Sequence, residues 1–230
     1  MISSAVAVGR VTAIVASAGS GRRLGLGTKK PFVRLAGIPI IVRTVRSVSA
    51  SDAVDSVVVA VEPSCVGRFR ALAARYSLSK VAAVIAGGRT MAESVRNCLA
   101  RIGDSCEIVL IHDGCRPFVD KDTISAAVAA ARRYGACIAA VPESDTVKVA
   151  GRGLAIERTL DRRRIFRAQT PQAFRRRVIT RAYERAPSHV TDDAGAVERA
   201  GGKVKIVPGS YRNIKITTKE DLAFARALLS

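Results

Sequence analysis

The run Val11-Thr12-Ala13-Ile14-Val15-Ala16 leads straight into Ser17-Ala18-Gly19-Ser20-Gly21-Arg22-Arg23-Leu24-Gly25, with Lys29-Lys30 close behind. A short, continuous apolar run that stops at glycine reads as a strand covered on both faces. A glycine-rich turn after such a strand lets the backbone approach a phosphate and aim its N–H groups at it. Four cations, Arg22, Arg23, Lys29 and Lys30, crowd the same turn. Two better-known phosphate loops do not fit: Leu24 breaks GxGxxG, and no GxxxxGK[ST] occurs. A tight strand-to-helix connection is the plain alternative, but clustered cations favour a polyphosphate.

Similar strands recur outward from this one: Ser56–Val61, Val81–Ala86, Ile108–Ile111, Cys137–Val141 and Lys203–Val207. Helical stretches lie between and after them: Ile40–Ser49, Cys65–Tyr76, Met91–Arg101, Asp122–Tyr134, Arg175–Arg185, Asp192–Ala200 and Lys219–Leu229. Gly135 and Gly201-Gly202 suit helix C-termini, and Thr218 with Asp221 suits a capping box. Strand and helix in alternation predict an α/β, doubly wound, mostly parallel sheet, with ligands at the carboxyl ends of its strands. One stretch departs from the pattern. Residues 143–169 alternate in character around Gly151-Arg152-Gly153 and read as an inserted β-hairpin arm. A lone hairpin is marginal in water, so the arm is expected to pack on a second subunit. No repeat or linker divides the chain, so residues 1–230 are expected to form a single domain carrying that arm.

Composition narrows the function. With 48% hydrophobic residues in 230, the chain has material for a core, which excludes disorder. No apolar run reaches membrane-spanning length and the N-terminus lacks a secretory pattern, so a soluble cytoplasmic protein is expected. Five scattered cysteines (Cys65, Cys98, Cys106, Cys115, Cys137) and two histidines offer neither a disulfide framework nor a zinc site. The net charge of +19 suits nucleic acid or small polyanionic substrates alike. Six Phe, four Tyr and no Trp make poor material for base-stacking platforms.

Two further constellations follow strands. In His112-Asp113-Gly114-Cys115-Arg116-Pro117, Asp113 sits where a sheet presents functional groups, suited to Mg²⁺ or a substrate hydroxyl. His112 reads as a satisfied, partly buried histidine and Cys115 as packing. In Gly87-Gly88-Arg89-Thr90-Met91-Ala92-Glu93-Ser94-Val95, a base or ribose fits at the glycine turn, as does an ordinary connection. Later come Asp161-Arg162, Gln169-Thr170-Pro171-Gln172, Thr191-Asp192-Asp193-Ala194 and Asn213-Ile214-Lys215-Ile216-Thr217.

Taken in order, from about Val11 to Leu228, these pieces closely resemble the 2-C-methyl-D-erythritol 4-phosphate cytidylyltransferases of the non-mevalonate isoprenoid pathway. The resemblance implies a Rossmann-like nucleotidyltransferase fold and transfer of CMP from CTP to the sugar phosphate, with Mg²⁺ held mainly by the CTP phosphates. It places transition-state stabilisation on Arg23 and Lys30, and positioning of the sugar phosphate on Arg162 of the arm and Lys215. Asp113, Arg116 and Thr146 would line the sugar-phosphate pocket. Ser17, Ala18, Gly19 and Gly21 would cradle CTP, with Gly88 and Ser94 at its ribose and cytosine. A homodimer through the arm is implied, with no specific nucleic acid and no membrane as partner. The chain departs from the family pattern locally: Lys29-Lys30-Pro31 stands where Pro-Lys-Gln is usual, so Lys30 is chosen by its spacing from Gly19. Met91 replaces a common arginine, and Ser17 and Gly114-Cys115 replace alanines.

Three other readings compete. A ribitol 5-phosphate cytidylyltransferase would share the fold and the loop. A non-enzymatic, basic nucleic-acid-binding protein would explain the charge without needing Asp113. An inactive nucleotide sensor is disfavoured because each proposed catalytic cation is present.

Overall fold

The computed structural model describes residues 10–18, 29–185 and 190–229. Gly19, Gly21 and Arg23 of the first loop lie outside the described residues. In chain order the elements are β1 (Val11–Ser17), β2 (Arg34–Leu35), β3 (Ile38–Pro39), α1 (Ile40–Ser49), β4 (Ser56–Val61), α2 (Val66–Arg75), β5 (Val81–Ala86) and α3 (Met91–Leu99). They continue with β6 (Ile108–Asp113), α4 (Lys121–Tyr134), β7 (Ala136–Pro142), β8 (Lys148–Ala150), β9 (Ile156–Thr159), β10 (Phe166–Arg175), α5 (Arg176–Arg185), α6 (Asp193–Arg199), β11 (Lys205–Pro208) and α7 (Lys219–Ala227).

Seven strands form one sheet in the order β11-β7-β10-β6-β1-β4-β5. All pairings are parallel except those of β10, which runs antiparallel to both β6 and β7. The continuous apolar runs are explained by burial on two sides. Val11, Ala13 and Val15 of β1 pack in a cluster with Ile41, Phe69 and Ile124 from α1, α2 and α4. Ile14 points the other way, into a cluster with Val95, Ile179 and Val197 from α3, α5 and α6. Strand β1 is therefore apolar at both parities of its two-residue period.

The helix ends are set as the sequence implied. Thr218 and Asp221 make a full capping box on α7, and Gly135 (φ 91°) closes α4 in a backbone region that favours glycine. Asp120 and Asp192 cap α4 and α6 by accepting from Thr123 N at 2.6 Å and Gly195 N at 2.9 Å. No helix among the described residues is long and apolar enough to cross a membrane.

Strand β10 carries no clear signal in the sequence. Its residues, FRAQTPQAFR, alternate poorly and include Pro171, whose missing N–H suits a ladder break. The break is present: its pairing with β7 shifts register between Ala168 and Gln172. Residues 166–169, included by the sequence pattern in the arm, thus belong to the main sheet. The hairpin proper is β8–β9, a separate two-stranded antiparallel pair.

Candidate active site

Strands β4 and β5 lie to one side of β1, and β6 lies to the other. A crevice opens at the carboxyl ends of strands where the order switches in this way. There Ala16 is paired with Asp113, and Gly114 N donates to Ala16 O at 2.8 Å. The contact demands glycine, because a Cβ on Gly114 would stand 2.3 Å from Ser17 Oγ. Gly87 makes the same approach from the β5 side, where a Cβ would fall 2.2 Å from Ala18 Cβ. Ser17 Oγ is buried and has no hydrogen-bond partner among the described residues. A buried hydroxyl without such a partner is uncommon, and this one sits where β1 runs into the glycine-rich stretch.

Asp113 ends β6, buried, between two cations. Arg116 Nε donates to its Oδ2 at 3.1 Å, and Lys215 Nζ lies 3.0 Å from both Oδ1 and Oδ2. Burial alone would raise its pKa; the charges and hydrogen bonds of Lys215 and Arg116 outweigh burial and hold it below the usual carboxylate value. Arg116 is itself fixed by donating from Nη1 to Asn213 O at 2.7 Å. Asn213 is fully buried and donates to Thr170 O at 2.7 Å. Ile216 N reaches Cys115 O at 2.9 Å, and Ile216 packs with Leu35 and Leu222, which anchors the segment carrying Lys215.

The two lysines at the first loop part company. Lys29 Nζ pairs with Glu62 and donates to Ser64 Oγ at 2.8 Å. Lys30 sits against Cys115, whose thiol burial pushes up while the ammonium pulls it down. The residue chosen by spacing from Gly19 is thus the one beside the Asp113 turn.

A cleft of about 370 Å³ lies over this cluster, with Asp113, Arg116, Thr170, Gln172, Asp193 and Lys215 among its walls. Met91 and Thr191 also border it. Gln172 Nε2 donates to Asp192 Oδ2 at 2.9 Å, and Gln172 Oε1 accepts from Ala194 N at 2.9 Å. Asp193 is fully buried and accepts from Tyr183 Oη through Oδ1, while its Oδ2 has no partner among the described residues. Burial first, then the charges of Asp192 and Asp113, push its pKa up to about 7. Thr170, Gln172, Asp193 and Asn213 were not singled out as site residues in the sequence. Their signal in the sequence was membership of the stretches 169–172, 191–194 and 213–217, which carry the family resemblance without a role being assigned to these four.

Gly88 and Ser94 meet at the end of β5: Gly88 N donates to Ser94 Oγ at 3.1 Å, and Ser94 Oγ donates to Thr90 O at 2.8 Å. The arm residues stay apart. Arg162 is exposed and donates to Ser144 O at 2.8 Å, and Thr146 is exposed nearby. Neither borders the Asp113 cleft of its own chain. Among the described residues no group of three or more His, Cys, Asp or Glu forms a metal cage.

The family model described as IspD, 2-C-methyl-D-erythritol 4-phosphate cytidylyltransferase, matches residues 11–230. The chain belongs to this family. Its similarity to a 2-C-methyl-D-erythritol 4-phosphate cytidylyltransferase of Pelotomaculum thermopropionicum is 46% identity over 224 residues, covering 96% of this chain and 94% of the relative. The namesake from Geobacillus kaustophilus is 47% identical over 221 residues, covering 95% and 96%. The fold is similar to the crystal structure of 4-diphosphocytidyl-2C-methyl-D-erythritol synthase from Anaerococcus prevotii, with TM-score 0.85, 30% identity and 96% of each chain covered. Among the described residues, the motifs carrying Asp113, Arg116, Thr170, Gln172, Asp193 and Lys215 meet at one cleft, while Arg162 and Thr146 of the arm stand outside it.

Proposed function

We propose that this IspD-family chain transfers CMP from CTP to 2-C-methyl-D-erythritol 4-phosphate, releasing pyrophosphate and forming 4-diphosphocytidyl-2-C-methyl-D-erythritol. The observation that carries this reading is Asp113 clamped between Arg116 and Lys215 at the switch-point cleft, in a chain of this family. A phosphate oxygen of the sugar attacks the α-phosphorus of CTP, and the bond to the β-phosphate oxygen breaks. The nucleophile is already an anion, so no general base is needed, and positioning with charge stabilisation supplies the rate. Lys215, oriented by Asp113, and Arg116 draw the sugar phosphate toward a like-charged partner. Lys30 and Arg23 neutralise the charge that builds on the phosphates. Ser17, Ala18, Gly19 and Gly21 hold the triphosphate, while Gly88 and Ser94 receive the ribose and base.

Asp113 fits poorly as a ligand for a divalent cation, because both its oxygens already meet Arg116 or Lys215. Mg²⁺ is therefore proposed to enter as part of the CTP complex, bound by phosphate oxygens, as this ion commonly is. The chain is further proposed to act as a homodimer through its arm. Leu154 is 86% and Ile156 64% exposed there, apolar surface that a partner would cover. Arg162 and Thr146 would then serve the partner's cleft. The test is pyrophosphate release from CTP and Mg²⁺ with either 2-C-methyl-D-erythritol 4-phosphate or ribitol 5-phosphate. Turnover with the former alone supports the proposal; turnover only with ribitol 5-phosphate, or with neither, overturns it.

A further inference from the structure

His112 is fully buried near the end of β6 and does not border the cleft. Nδ1 lies 3.0 Å from Thr170 Oγ1 and Nε2 lies 3.0 Å from Arg116 O. The Arg116 carbonyl can only accept, so Nε2 carries a proton. Burial pushes the ring pKa down to about 4 against the pull of nearby Asp113 and the Arg116 carbonyl, so the ring is neutral and Nδ1 is bare. Thr170 accepts from Asp113 N at 3.0 Å, which leaves its own O–H to donate to Nδ1. One proton arrangement satisfies the whole chain: Asp113 N–H to Thr170 Oγ1–H to His112 Nδ1, and His112 Nε2–H to Arg116 O.

The location gives this chain of bonds a task. The β10–β6 ladder stops at Gln172 and Ile111, so no strand partner meets the backbone of Asp113 from that side. The Thr170 hydroxyl takes that place, and the imidazole holds the hydroxyl. The same ring ties down the carbonyl of Arg116, the other end of the turn. We infer that His112 is a positioning residue for the sugar-phosphate half of the site, acting through Thr170 and the Arg116 carbonyl to hold the Asp113 and Arg116 side chains in register with Lys215. It touches no substrate and moves no proton in the reaction. The inference rests on the proposed assignment of Asp113, Arg116 and Lys215 to the sugar phosphate.

His112→Gln retains a donor that reaches Arg116 O and loses the acceptor for Thr170, whereas Thr170→Val removes the hydroxyl at nearly constant shape. Each is expected to raise KM for 2-C-methyl-D-erythritol 4-phosphate about three- to tenfold, the range for one lost hydrogen bond, with KM for CTP unchanged. The double variant is expected to add nothing to either single one, since both break the same link. Additive effects, an unchanged sugar-phosphate KM, or both KM values rising in step with a falling Tm would overturn the inference. Should the variants fail to fold, ¹⁵N NMR of the histidine ring in a His189→Gln background decides. A neutral Nε2–H tautomer that does not titrate above pH about 5 supports the role, and an Nδ1–H tautomer or a titrating ring overturns it. Wild-type protein inactive with both substrates would instead overturn the proposed function, leaving the tautomer result standing as structure alone.

Discussion

Lys29 and Lys30 are neighbours in the chain, yet Lys29 is spent on Glu62 and Ser64 while Lys30 faces the Asp113 turn. A cation placed where charge develops is worth far more than one paired at the surface. Lys30→Ala is therefore expected to lower kcat by about two orders of magnitude, and Lys29→Ala to leave it within a fewfold of wild type. Steady-state pyrophosphate release measures both, and equal losses would undo the distinction. Asp193 makes a different prediction. Its folded pKa, about 7, lies above its ordinary 3.8, so the protonated acid favours the fold. That contribution is intact below the ordinary value and is lost as pH rises through about 7. Asp193→Asn, which keeps the site neutral, should gain Tm relative to wild type across that window. Asp113, whose pKa is lowered, adds slope of the opposite sign near and below its ordinary value, and that slope is common to the variant and the wild type. A Tm difference that stays flat with pH would show that Asp193 does not change its proton on folding.

At the scale of elements, the arm is the part that a single chain leaves unfinished. All four residues of β9 are exposed, and β8–β9 forms its own two-stranded sheet. Two-stranded hairpins are marginal in water unless something covers them, and closed two-fold symmetry is the commonest way for a chain to cover its own arm. Mixing Arg162→Ala with Lys30→Ala subunits and allowing exchange tests where Arg162 works. In trans, one site of each heterodimer collects both defects and the other is intact, so activity reappears. In cis, every site keeps one defect and the mixture stays dead. Sedimentation as a monomer would end the proposal before any mixing.

For the whole molecule, the charge of +19 has internal outlets. Arginine guanidinium groups stand 5.0 Å from the ring centre of Tyr76, 5.2 Å from Tyr134, 5.4 Å from Tyr183 and 5.5 Å from Tyr211. Every tyrosine of the chain thus has an arginine near its ring, a favourable contact for part of the positive charge. Arg10 and Arg132 share Glu107, and Arg176 pairs with Asp104. Binding to duplex DNA should accordingly be weak and should collapse as salt rises through physiological levels. A fluorescence-anisotropy titration over increasing salt checks this; tight, sequence-selective binding at physiological salt would favour the nucleic-acid reading instead.

The order of strands and helices was legible because both faces of the sheet are covered, so periodicity and glycine punctuation report directly on local structure. Caps such as Thr218 with Asp221 were legible for the same reason: their partners are three residues away. The motifs carrying Lys30, Asp113, Arg116 and Lys215 were also visible, as residue types that phosphate chemistry requires. What no local pattern could supply was β10, whose antiparallel place between β6 and β7 is set by two long-range pairings that override a strand-poor sequence. Lys29 meets Glu62 and Lys30 meets Cys115, partners far along the chain from both lysines. The meeting of Asp113 with Lys215, 102 residues apart, and of His112 with Thr170, 58 apart, is likewise a product of packing. A hydrogen bond between distant residues leaves no periodicity in the sequence, and only the folded chain brings its two ends together.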